Sequence, residues 1–149
     1  QIPSVIQDSL AQMGAFVGAD RVYVFDYNAD NKTFSNTHEW FNNGVKPEIN
    51  NFQNIPLERF LYLYNKLEQN EIISIYNVDK LSNSDGLKQI LVTQNIQSIV
   101  LIPLFDNNSL FGFVGFDYIK NKHQSSNEEI QLLNILTQQD PWKVAKDFK

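Results

Sequence analysis

The chain contains no cysteine. That removes disulfides, thiolate nucleophiles, Cys-based zinc sites and any chromophore held through a thioether. A reducing cytoplasm suits such a chain, and cytoplasmic localisation is the expectation. Arginine is scarce, only Arg21 and Arg59, and the formal net charge is -5. Phosphate recognition needs a clustered basic face, whereas the lysines here are scattered among seventeen acids. No nucleic-acid partner is therefore expected, and no polybasic membrane patch. No apolar run reaches about 18 residues, so no membrane insertion is expected, and nothing resembles a secretory leader. Five prolines and six glycines are too few to mark a long linker. The first residue is Gln rather than Met, which reads as a piece of something longer.

What is present is apolar and aromatic: eleven Phe among 149 residues, 42% of them hydrophobic. That length suits one domain, and such a chain buries roughly 70% of its unfolded surface. Ile2, Val5, Ile6, Leu10, Met13 and Phe16 recur at helical spacing up to Gly18, predicting an amphipathic helix. RVYVFDY (21–27) is β-branched and aromatic, Asn-Ala-Asp-Asn is turn chemistry, and Thr33 to Trp40 resumes as a strand. Leu57, Phe60, Leu61, Tyr64 and Leu67 predict a second helix, with Pro56 in its first turn. EIISIYNV (71–78) reads as a strand, and SNSDGLKQILVTQN as a capped short helix. SIVLIPLF (98–105) and LFGFVGFDY (110–118) form the clearest hairpin. Ser125–Glu129 then reads as a cap with acids in the first turn of a last helix.

Hairpins demand antiparallel pairing, and the last two strands are apolar at both parities, Leu110, Val114 and Phe116 against Phe111 and Phe113. Both sheet faces should be covered. The expected fold is α+β: a central antiparallel sheet of five to six strands with helices on both faces. The terminal helices should share one face. The middle helices and loops would roof the other, where a small-molecule pocket tends to form.

The order ADRVYVF, THEW, an Ile-Pro turn, QSIVLIPL and GFVGFD resembles the GAF domains of bacterial signalling proteins. It is most similar to the subgroup upstream of histidine-kinase or diguanylate-cyclase (GGDEF) modules. The resemblance implies a single GAF-like sensory domain over residues 1–139, with 140–149 an extension or linker towards an output domain in the same chain. It implies a non-enzymatic, cytoplasmic module that senses an unidentified small molecule, and a homodimer. The alternative is a dimerisation or spacer domain with no ligand, carried by the apolar faces of Leu10, Met13, Leu132 and Leu136. Without cysteine, neither bilin attachment nor methionine-sulfoxide reduction of the family's kind is possible, and the cofactor is unknown. Two positions depart from the subgroup: Ser125 stands where a Trp is often found, and Pro141 breaks the run towards a coiled-coil linker.

The stretch Ser35-Asn36-Thr37-His38-Glu39-Trp40 concentrates the polar candidates. Strict alternation puts Asn36, His38 and Trp40 on one face and Thr37 and Glu39 on the other. His38 and Glu39 then point apart, which argues against a catalytic pair. Two accounts stay open. In one, Trp40 packs under the following loop and Glu39 caps backbone amides. In the other, Asn36, His38 and Trp40 form a pocket wall, combining hydrogen bonds with an aromatic face. His38 and His123 are the only histidines, too few for a convincing metal site, although one axial His suffices for haem. Tyr62, off the buried stripe of its helix, is a candidate to hang over the pocket. Ser98, entering an apolar strand that borders the cavity in ligand-binding relatives of the family, completes the ligand-binding set.

Overall fold

The computed structural model of the chain describes residues 2–82 and 86–138. Its elements are α1 (Ile2–Val17), β1 (Arg21–Asn28), β2 (Thr33–Phe41), β3 (Ile55–Pro56), α2 (Leu61–Glu68) and β4 (Ile73–Ile75). They continue with α3 (Leu87–Thr93), β5 (Ser98–Asp106), β6 (Ser109–Tyr118) and α4 (Asn127–Thr137). The strands form one sheet in the order β3-β2-β1-β6-β5-β4, and every neighbouring pair is antiparallel. Local chemistry explains the joints. Gly18 ends α1 at φ 69, and Asn107 and Asn108 take φ 51 and 67 in the two-residue turn of the β5–β6 hairpin. The Ser126 side chain accepts from the Glu129 amide to start α4.

Strand alternation separates two cores. Val22, Val24, Val100, Ile102, Val114 and Phe116 meet Ile6, Leu10, Met13 and Val17 of α1 and Leu133 of α4. On the other face, Tyr23, Phe25, Phe34, Ile99, Leu101 and Phe113 meet Leu63 and Leu67 of α2 and Leu87 and Leu91 of α3. One face is thus largely aliphatic under the terminal helices, and the other aromatic under the middle ones. Of the four residues named for a dimerising face, Leu10 and Met13 are 0% and 5% exposed and belong to the first core, Leu136 is partly buried against it, and Leu132 is 37% exposed.

Three local readings change. Ile55-Pro56 is an edge strand paired with Phe34 and Thr33 rather than a turn, a place where the missing proline N–H costs nothing. The 71–78 strand shrinks to Ile73–Ile75, because the Asn77 side chain accepts from the Asp79 amide and turns the backbone into a 3-10 helix. Leu57–Phe60 is likewise 3-10, which sets the rotation of α2: Leu63 and Leu67 face the sheet while Leu61 is 47% exposed. Residues 83–85, part of the expected cap of α3, and the extension 140–149 lie outside the described residues.

Candidate functional site

Two bulges set the geometry. On β1, Val24 pairs with His38 but Phe25 pairs with Asn36, so Thr37 is an extra residue in β2. On β5, Leu104 pairs with Gly112 and Phe105 with Leu110, so Phe111 is extra in β6. An inserted residue inverts the faces on either side of it. Asn36 and Glu39 consequently share the aromatic face, opposite Phe25 and Tyr23, while His38 and Trp40 join Val24 and Val22 on the α1 face. Phe111 packs with the aliphatic core and Phe113 with the aromatic one, so the expected grouping of those two also breaks.

Between the aromatic face, the segment 46–52 and α3 lies a cavity of about 40 Å³. Asn36, Glu39, Arg21, Phe25 and Phe113 line its sheet side, and Phe60, Leu91 and Gln94 its roof. Glu48, Phe52, Ile90 and Gln94 are shared with an outer recess of about 360 Å³, whose rim carries Lys46 and Arg59.

The polar groups at the inner wall are nearly all committed. Arg21, 1% exposed, donates from Nε to Asp117 Oδ2 at 2.9 Å, from Nη1 to the Lys46 carbonyl at 2.8 Å and from Nη2 to Gln94 Oε1 at 3.2 Å. Tyr23 Oη donates to Asp117 Oδ1 at 2.7 Å. Its ring lies over Gly115, where any Cβ would overlap it. The Glu39 carboxylate accepts from the Glu48 and Ile49 amides at 2.9 and 3.2 Å. The exception is Asn36. It is 4% exposed, and among the described residues its Oδ1 is the only buried side-chain nitrogen or oxygen without a hydrogen-bond partner.

Burial pushes the Asp117 carboxyl from 3.8 to about 6, against the opposing pull of Arg21 and Tyr23. The same burial opposes the Arg21 charge most strongly of any single influence, yet Asp117, Tyr23 and Glu39 together outweigh it and the Arg21 pKa is raised. Burial also drives the Tyr23 hydroxyl well above its ordinary range. The folded state holds the Asp117 proton more tightly than the unfolded chain does. This group's contribution to stability is therefore complete below 3.8 and is lost as the pH rises to about 6. The Asp117 side-chain carboxyl ¹³C resonance is expected to titrate with a midpoint near 6. A midpoint at or below the ordinary value would mean that the guanidinium outweighs burial.

Of the sequence candidates, the structure places Asn36 alone at the cavity. Trp40 lies against Gly14 of α1, so close that a Cβ there would overlap its ring. His38 Nδ1 stands 3.0 Å from Thr37 Oγ1 on that same α1 face. Tyr62 is half-buried beside the aromatic core, with Lys66 Nζ 5.4 Å from its ring centroid. Ser98, 1% exposed, is a strut: its Oγ donates to the Tyr76 carbonyl and accepts from the His123 amide. Glu39 does cap amides, in keeping with one of the two open accounts. Arg21, Tyr23 and Asp117 form a unit that sequence reasoning misses. The available signal was an arginine opening the apolar run VYVF in a chain with only two arginines, and an aspartate closing GFVGF. Among the described residues, no three His, Asp or Glu side chains gather as a metal site, and no helix is long and apolar enough to cross a membrane.

A six-stranded antiparallel sheet, helix-covered on one face and roofed over a small cavity on the other, defines a class of single-sheet α+β pocket domains. Within that class the chain belongs to the GAF domain family, whose sequence pattern matches residues 2–139. The methanogenesis regulatory histidine kinase FilI of Methanothrix harundinacea (strain 6Ac) is 31% identical over 138 residues, taking in 90% of this chain and 15% of FilI. The chain thus spans a small part of the curated relative it matches. The photoproduct state of GAF3 from Slr1393 of Synechocystis sp. PCC6803 superposes with a TM-score of 0.83 at 18% identity, over 99% of this chain and 95% of that one. The far-red absorbing dark state of JSC1_58120g3, with bound biliverdin IXa, gives 0.83 at 13% identity, over 100% and 92%. Identities at that level express a shared fold.

Proposed function

We propose that this GAF domain is a non-catalytic sensor of a small molecule, acting in the cytoplasm as a homodimer and reporting to an output domain in the same chain. A histidine kinase is the favoured output, by the example of FilI; a diguanylate cyclase is the alternative. The reading rests on one observation: the orphan Oδ1 of Asn36, a residue of the cavity wall. A spacer with a filled interior has no reason to keep a buried amide unpaired, since such a group costs about 1–3 kcal/mol. A tetrapyrrole is not proposed, because about 40 Å³ of inner space cannot hold one and no Cys exists to attach it.

Arg21 supplies the coupling. Its three acceptors lie on β6, on the 46–52 segment and on the residue ending α3, so one side chain ties both roof pieces to the sheet. A ligand entering under the roof favours the arrangement that admits it, and shifts the population by its differential affinity for the two.

Asn36→Leu is the test. In ligand-free protein it is expected to stabilise the fold by about 1–3 kcal/mol, read by urea unfolding. Native mass spectrometry of the wild-type protein should show a small-molecule adduct that the variant lacks. Destabilisation by the leucine, or an identical adduct on both proteins, would end the sensor reading. Concentration-dependent mass in light scattering without any ligand-induced thermal shift would favour the spacer.

A further inference from the structure

Building on the sensor reading, we infer that the cavity takes a neutral, ring-sized aromatic molecule of the indole or phenol class, bound by donating one N–H or O–H to Asn36 Oδ1. Three features of the site point the same way.

The first is the sense of the hydrogen bond. Asn36 Oδ1 is an acceptor, buried and unpartnered, and only a donor can satisfy it. The backbone around it is already used: the Asn36 amide donates to the Phe52 carbonyl at 2.8 Å, and its carbonyl accepts from Gln53 Nε2 at 2.8 Å. A guest reaching this depth therefore finds Asn36 Oδ1 open.

The second is charge. Among the described residues, the cation at the inner wall, Arg21, is already matched by Asp117, while the Glu39 carboxylate accepts from two amides and Glu48 Oε1 from Asn51 Nδ2 at 2.8 Å. A guest anion placed there would be stripped of water and meet carboxylates instead of a free cation, which costs several kcal/mol per ion. The inner end of the ligand carries no negative charge.

The third is shape. Phe25 stacks on Phe113 at 4.8 Å and meets Phe52 and Phe60 edge-on at 6.0 Å each, which presents ring edges and faces to the space between. Aromatic guests exploit such walls through edge-to-face contacts. In this proposal the inner space takes the donor-bearing edge of a ring, and the remainder is directed towards the outer recess, which Phe52 and Ile90 also border.

Indole and benzofuran form the discriminating pair, since they share a shape and differ in an N–H donor against an oxygen acceptor. Each is titrated into the whole chain, with cavity resonances followed in ¹H–¹³C methyl spectra of Ile90, Leu91 and Ile99. Wild-type protein is expected to bind indole at least tenfold more tightly than benzofuran. Asn36→Leu is expected to bind both with equal affinity, and Asn36→Ala gives the same comparison should the leucine variant fail to fold. Equal affinities in the wild type, a preference for benzofuran, or an indole preference that survives both substitutions would overturn the inference. So would tighter binding of the charged control benzamidinium, although cavity shifts with that probe would leave the sensor reading standing. Unmoved cavity resonances with all three probes would remove the ligand class, while a native-mass adduct absent from Asn36→Leu would still uphold the sensor.

Discussion

Asp117→Ala is expected to cost about 3–5 kcal/mol of folding stability, because it leaves the Arg21 guanidinium charged, 1% exposed and without its carboxylate. Against a total of about 5–15 kcal/mol for an ordinary domain, that is a large share of the margin. The loss comes from the abandoned charge rather than from the missing contact. The triple variant Tyr23→Phe, Arg21→Met, Asp117→Leu removes the charge, its partner and the hydroxyl that donates to Asp117, so it is expected to regain most of the stability. Urea unfolding of wild type, single and triple variants decides it. If the triple variant is as unstable as the single, the ionic network itself contributes the stability. Because Arg21 also binds Lys46 O and Gln94 Oε1, the triple variant should retain a folded sheet with faster amide exchange in α3.

The second large effect is at Gly112. A Cβ there would run into the Phe25 carbonyl oxygen, a backbone atom in the adjoining strand that no rotamer change can move aside. Gly112→Ala must pry β1 from β6 at the middle of the sheet, and about 3 kcal/mol, the upper end for overpacking, is the expected cost. Gly18→Ala is the comparison: it has open space around it and only its φ of 69 to satisfy, so about 1–2 kcal/mol is expected. Similar losses at both positions by thermal or urea unfolding would contradict a steric origin at Gly112. The glycines of GFVGF therefore serve close packing: Gly112 admits a neighbouring backbone, and Gly115 admits the Tyr23 ring that delivers its hydroxyl to Asp117.

The elements were legible because their signals are local. The helical recurrence of Ile6, Leu10 and Met13, the Asn-Asn turn and the Ser126 cap each act within a few residues, and each stands where its chemistry requires. The site was less legible. Strict alternation along SNTHEW groups Asn36 with His38 and Trp40, but the extra residue at Thr37 sends Asn36 and Glu39 inward and the other two towards α1. Nothing within those six residues marks the bulge, since it arises from how β2 must pair with β1. Tyr62 and Ser98 stand apart from the cavity for a similar reason: the 3-10 turn before α2 sets that helix's rotation, and the loop carrying Tyr76 claims the Ser98 hydroxyl.

By itself the sequence determined the class of fold, the antiparallel pairing, the two-sided burial of the sheet and, through the absence of cysteine, the chemistries that cannot occur. Tertiary structure alone decided which polar residues meet. Arg21 and Asp117 are 96 positions apart in the chain, and strand register makes them partners. A single inserted residue then leaves Asn36 buried with an unanswered oxygen. Periodicity is written over a few neighbouring residues, whereas register and bulges are settled by the energy of the whole sheet, so only the assembled fold can show them.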